Sequence, residues 1–189
     1  MKRRKFFNVI GLGAFLATSL GITKTVAAAT PDTVSGKIDR RLKELGISLP
    51  DAPNPMAAYT SFRISGNHLY IAGQGPIHTA ENPGLGRVGD SLTTEQGYHA
   101  ARTTGLNILA QLKKACHGDL DRVVQCLQIQ GVVKCTDDYK DSPKVINGAS
   151  ELFRDVFGEK GLGARAALGT NALPMDIACE IISIWEIRL

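Results

Sequence analysis

The stretch from Ala164 to Ile187 constrains this chain more than any other. Two strand-like runs, Arg165–Asn171 and Ile177–Ile187, flank a turn at Leu173-Pro174-Met175-Asp176, a pattern that predicts a hairpin. Each run sets one charge among apolar neighbours: Arg165 in the first, Glu180 in the second. Burying either charge alone costs several kcal/mol, so each needs a partner or a task. A fork-shaped cation near a carboxylate could hold an organic acid and activate a water beside it. An internal ion pair, or two side chains pointing to solvent at the sheet edge, is the simpler alternative.

The remaining elements follow from periodicity. Ser35 to Leu45 reads as a short helix with Ile38, Leu42 and Leu45 on one face, Ser35 as cap and Gly46 as stop. Thr60–Ile64 and Leu69–Ala72, joined by Ser65-Gly66-Asn67-His68, read as a hairpin. Gly73 to Asp90 is a Gly- and Pro-rich loop. Thr93 and Gln96 form a capping box for a second helix. In it Tyr98, Ala101, Gly105, Ile108, Leu112 and Ala115 recur at helical spacing, with Arg102, Gln111, Lys113 and Lys114 facing water and His117-Gly118 as the stop. Val123 to Lys134 alternates as a strand. Ser142-Pro143 opens a third helix, which Val145, Ala149, Leu152, Phe153 and Val156 anchor to the core and Gly158 ends. The order is helix, hairpin, helix, strand, helix, hairpin. Two main helices on one face of a mixed sheet is the economical packing, an α+β domain.

Residues 1–29 read as an export signal. Lys2-Arg3-Arg4-Lys5 precedes a soft apolar run from Phe6 to Ile22, and Ala27-Ala28-Ala29 offers a small-residue cleavage site. The run falls short of the roughly 18 apolar residues that suggest a membrane span. Arg3-Arg4-x-Phe6-Phe7, with Lys24 near the cleavage site, resembles a twin-arginine signal. Lys2, Phe7 and Asn8 depart from the usual pattern and leave the general secretory route open. The expected organisation is a signal over 1–29, a linker with the short helix over 30–55 and one domain over 56–189. The mature protein is expected in the periplasm or otherwise outside the cell interior, off the membrane once the signal is cleaved, with an uncleaved N-terminal anchor as the alternative.

Cleavage changes the charge. The segment holds five basic residues and no acid, so the formal net charge falls from +4 to −1. A near-neutral domain lacks the basic field typical of nucleic-acid binders, and none is expected as a partner.

Other motifs carry less. Cys116, Cys126, Cys135 and Cys179 show neither a C-x-x-C pair nor metal-like spacing, and most are expected to be reduced and buried. Gly84-Leu85-Gly86-Arg87-Val88-Gly89 matches G-x-G-x-x-G, but no strand leads into it and Leu109 stands where an acid would follow. His68, His78, His99 and His117 lack the clustering of a metal site.

Several elements match a known family in order and at near-constant spacing. Tyr59, the stretch Gly66 to Gln74, Asn147-Gly148-Ala149, Ala164-Arg165, Leu173-Pro174 and Cys179-Glu180-Ile181 together resemble the RidA family, whose older names are YjgF and "endoribonuclease". Arg41 to Gly46 and Asn147 to Ser150 further resemble a branch with no settled activity. The resemblance implies a chorismate-mutase-like α+β fold, assembled as a homotrimer with the sheets packed into a central barrel and ligand clefts between neighbouring subunits. It implies hydrolysis of 2-imino or 2-enamino acids to 2-keto acids and ammonia, with neither metal nor organic cofactor. By the same resemblance Arg165 binds the substrate carboxylate, Glu180 holds the attacking water, and Tyr59, Gly73 and Asn147 line the pocket.

The match has departures. Ala72 stands where active members often carry a serine, and Ala167 where they often carry a cysteine; Gly169, Asn171 and Cys179 also differ. A noncatalytic trimer that binds small carboxylate-bearing metabolites is therefore the alternative, with ribonuclease activity a third reading.

Overall fold

Local signals set the helices. The computed structural model describes residues 36–80 and 84–189; the expected signal peptide and the Ser35 cap lie outside them. The second helix, α2, spans Thr94–Ala115 and opens on the expected capping box: the Thr93 hydroxyl accepts from Gln96 N at 3.1 Å, and the Gln96 side chain accepts from Thr93 N at 2.9 Å. It ends where His117 and Gly118 turn left-handed, with φ of 55° and 93°. The third, α3, spans Ser142–Phe157 and stops at Gly158, φ 68°. The first, α1, covers Lys37–Glu44. Its N-terminus is held from afar, because the Asp121 carboxylate accepts from Lys37 N (2.7 Å) and Ile38 N (2.8 Å). Leu42 of α1 is buried in the same core as α2 and α3, so this helix packs with the domain although it reads as part of a linker.

Five strands form one sheet: β1 (Phe62–Ser65), β2 (His68–Gln74), β3 (Val123–Lys134), β4 (Ala164–Thr170) and β5 (Cys179–Ile187), in the order β1-β2-β5-β3-β4. β1 and β2 form the expected antiparallel hairpin, Phe62 opposite Ile71. The second expected hairpin does not exist. β5 leaves the 3-10 turn at Pro174–Asp176 and inserts between β2 and β3, antiparallel to both, while β4 runs parallel to β3 on the outer edge. A parallel pair needs a crossover, and α3 supplies it.

Burial explains the exchange. β5 sends Cys179, Ile181, Ser183, Trp185 and Ile187 to the helix-covered face, all of them buried, so its gain is largest at the centre. β4 offers mainly alanine and glycine and can remain at the edge. Trp185 anchors the core edge-to-face on Phe153, with ring centroids 5.1 Å apart, and its indole N–H donates to Ser183 Oγ at 2.9 Å.

All four cysteines are buried and unpaired. Burial pushes the Cys126 and Cys179 thiols up to about 12 from an ordinary 9.0. Folding thus favours the neutral thiol. The resulting stabilisation is complete below the unfolded value and is lost as pH rises from about 9 through about 12. Native protein at pH 8 is expected to resist a thiol-specific disulfide reagent until denaturant is added, and the urea midpoint is expected to fall between pH 9 and 11. Rapid native labelling of Cys126 or Cys179 would contradict this.

Candidate functional site

Glu180 stands opposite Val132 in the sheet, on the face that α2 and α3 leave bare. The neighbouring strand is irregular there. Ile71 pairs with Ser183 but Gln74 with Ile181, so β2 spends one residue more than β5 across Ala72 and Gly73. Bulges of this kind re-aim side chains and concentrate near ligand sites. Gln74 folds back to fasten it, its Nε2 donating to the carbonyls of Ala72 and Gly73, both at 3.1 Å. The Glu180 carboxylate lies over Gly73 so closely that a methyl group at 73 would overlap Oε1. Glycine at this position is a steric requirement for where the carboxylate sits.

A cavity of about 590 Å3 opens beside this carboxylate and is also lined by Gly73, Tyr59, His78 and Asn107. Its outer wall is the segment from Pro53 to Tyr59. The Pro53 carbonyl accepts from Gln111 Nε2 (2.6 Å) and Ser61 Oγ (3.2 Å), and the Tyr59 hydroxyl accepts from Met56 N at 3.4 Å. Gln111, expected to face water, is fully buried as the tether for this wall. Asn107 Nδ2 donates to the Gly75 carbonyl at 3.0 Å and closes the floor. The opposite wall is the turn Pro174-Met175 with Ile177.

Arg165 lies elsewhere. Its register partner on β3 is Ile129, which is buried under the helices, so Arg165 points to the helix-covered side at the outer edge of the sheet. There Nη1 donates to Asn147 Oδ1 (2.8 Å) and Ser150 Oγ (3.1 Å), two side chains one turn apart on α3. Among the described residues no carboxylate lies within ion-pair distance of it. The guanidinium is exposed, held by neutral acceptors, with donors left for an incoming anion.

Of the residues read from the sequence, the structure brings Tyr59, Gly73 and Glu180 together in one cavity, and separately joins Asn147 to Arg165. Within one chain the two groups do not meet: β3 separates their strands, and the side chains project to opposite faces. Four contributors were not read as site residues from the sequence: Ser150, Asn107, Gln111 and the wall segment from Pro53 to Ala57. One signal was present for two of them. Thr104, Asn107 and Gln111 recur at i, i+3 and i+7 along the buried side of α2, a polar stripe where apolar residues would be expected.

A mixed sheet with two helices on one face, a bare opposite face and a glutamate at a bulged strand defines a chorismate-mutase-like α+β domain. The sequence profile described as "YjgF/chorismate mutase-like, putative endoribonuclease" matches residues 39–187, and the chain belongs to this RidA/YjgF family. Protein TCP17 of Trypanosoma cruzi is 37% identical over 155 residues, covering 82% of this chain and 96% of its own. The crystal structure of Atu1372, a protein of unknown function from Agrobacterium tumefaciens, is 41% identical with a TM-score of 0.73, covering 80% of this chain and 92% of that one. A protein from Shewanella oneidensis MR-1 that carries the same endoribonuclease label is 31% identical with a TM-score of 0.74, over 79% of this chain and 99% of that one.

Proposed function

We propose that the exported chain forms a homotrimer in which the Glu180 cavity of one subunit meets Arg165 of the next, and that this composite cleft hydrolyses 2-imino or 2-enamino acids. The carrying observation is complementarity between the half-sites. Among the described residues no lysine or arginine lines the Glu180 cavity, while Arg165 is held open by the neutral Asn147 and Ser150. A substrate bearing a carboxylate next to a hydrolysable C=N bond uses both.

In this mechanism Arg165 binds the carboxylate through two parallel hydrogen bonds. Glu180 orients a water and accepts its proton as the oxygen bonds to C2, and the π pair moves to nitrogen. The proton then passes from Glu180 to that nitrogen, giving a carbinolamine; Glu180 next takes the hydroxyl proton and delivers it to the same nitrogen as the C–N bond breaks, so that ammonia leaves and C2 becomes a carbonyl. The imine carbon is already electrophilic, so positioning and two passes of one carboxylate proton relay suffice. No metal or organic cofactor takes part in these steps.

Assembly would use the bare sheet face. Leu168 (60% exposed), Tyr70 (42%) and Ile182 (41%) lie on it beside Val132 and Ile184. An apolar face of this kind marks an association surface, and head-to-tail contacts that close make a ring. Ile182→Lys is expected to turn a trimer into a folded monomer in analytical ultracentrifugation. A wild-type monomer at micromolar concentration would remove the composite site.

The direct test generates 2-iminopropionate in situ and follows ammonia release. Arg165→Ala and Glu180→Gln are each expected to lower kcat/KM by about 100-fold or more. Gly73→Ala is expected to do nearly as much, with the melting temperature almost unchanged, because the displaced group is the flexible end of Glu180. Absence of activity in the wild type would sink the hydrolase reading. Ala72 and Ala167 favour a second reading, binding without turnover: Ala72 lies in the bulge beside Gly73, and Ala167 two positions along β4 from Arg165. Ligand stabilisation without ammonia release would support it. RNA cleavage surviving both charge variants would instead support a ribonuclease.

A further inference from the structure

We infer that the Glu180 cavity is a side-chain subsite that selects 2-imino acids carrying a large apolar side chain over the methyl of 2-iminopropionate. This rests on the hydrolase reading above and specifies its substrate class.

The charge distribution fixes the orientation. Among the described residues that line the cavity Glu180 is the carboxylate and His78 the imidazole, and none is lysine or arginine. A substrate carboxylate placed inside would face a like charge with no permanent cation to pair it, a costly arrangement. The carboxylate must therefore point out toward Arg165 of the neighbouring subunit. That leaves the third substituent of C2, the side chain, to occupy the space beside Glu180.

The walls suit such an occupant. Pro53, Met56, Pro76, Pro174, Met175 and Ile177 line the space, whose volume of about 590 Å3 lies within the range of small-molecule sites. A methyl group would leave most of it filled with water against apolar carbon. Met56 and Met175 are exposed at 73% and 58%, and methionine adapts its shape to varied apolar partners.

Met175 is also held there against its backbone preference. It and Asp176 adopt φ of 54° and 64°, left-handed angles uncommon for residues other than glycine. Such conformations persist where surroundings over-determine them, and they cluster at ligand sites. Here the Asp176 carboxylate pairs with Lys134, the Asp176 carbonyl accepts from Gly86 N at 2.8 Å, and Pro174 O accepts from Ile177 N at 3.2 Å. Three ties thus hold the turn that forms this wall, and Met175 is its specificity-determining residue.

The test compares the leucine-derived imine, 2-imino-4-methylpentanoate, with 2-iminopropionate, both generated in situ. The wild type is expected to favour the larger imine by at least about 10-fold in kcat/KM. Met175→Gly removes the wall, and glycine accepts the left-handed angle, so the variant should fold. It is expected to erase most of that preference through KM for the larger imine. Equal efficiency toward both imines in the wild type, or an unchanged ratio in Met175→Gly, overturns the subsite and leaves the hydrolase reading standing. If neither imine is hydrolysed, the hydrolase reading fails, and the subsite is judged by thermal shift with 4-methyl-2-oxopentanoate against pyruvate at equal concentration. A larger shift with the branched acid supports it; equal shifts, or none, overturn it.

Discussion

Co-assembly of an Arg165→Ala chain with a Glu180→Gln chain, each inactive alone, is expected to restore about a third of wild-type activity in mixed trimers, since a closed ring of both variants holds one intact cleft in three. Each cleft of the proposed trimer takes Glu180 from one subunit and Arg165 from the next. In a mixed trimer some clefts pair the intact glutamate of one variant with the intact arginine of the other. The geometry that motivates this is explicit. Glu180 faces the bare side of the sheet beside Gly73, while Arg165 faces α3 at the outer edge, with β3 between their strands. Co-expression with two affinity tags isolates the mixed assemblies, and the imine assay reads them. Mixed trimers as inactive as the parents would mean that both groups must act from one chain, which these opposite orientations do not allow.

Gly148→Ala is expected to cost roughly 3 kcal/mol or more, at the upper end for overpacking a core. For a domain of this size that lowers the melting temperature by roughly 10 °C. A methyl group at 148 would overlap the Tyr98 carbonyl oxygen and stand 2.9 Å from Arg102 N, both backbone atoms of α2. Neither helix can yield easily, because α3 buries Ile146, Leu152 and Phe153 on its other contacts. The contrast with Gly73 is instructive. There the obstructing atom ends a flexible side chain, so the same substitution should spare the fold and remove function. Differential scanning calorimetry of the two variants checks both halves, and a Gly148→Ala protein melting within two or three degrees of wild type would contradict the tight helix crossing.

Much of the chain was legible before folding. The Thr93–Gln96 capping box, the Gly158 stop, the Ser142-Pro143 start and the alternation along Val123–Lys134 all recur in the structure as read. These signals depend on neighbours within about one helical turn, where geometry follows from local hydrogen bonding and sterics. Arg165 and Glu180 also stood out, since a charge among apolar residues is conspicuous in any strand. Tyr59, Gly73 and Asn147 came into view through the family pattern, and the structure joins the first two to Glu180 and the third to Arg165.

What the chain could not announce was who neighbours whom across it. The two terminal strands read as a hairpin because a turn lies between them, yet β5 travels to the sheet centre, where its five buried side chains outweigh the short connection. Gln111 looked like a solvated helix residue until the Pro53 carbonyl arrived from outside α2, and α1 owes its start to an aspartate 84 positions away. The placement of Arg165 and Glu180 on opposite faces of the sheet has the same origin. Sequence by itself determined the helices, the strand faces and which strand positions carry an isolated charge, because these are short-range properties. Strand order, the wall around Glu180 and the opposed directions of the two charges were decided only by tertiary packing, where burial summed over distant segments outweighs any local preference.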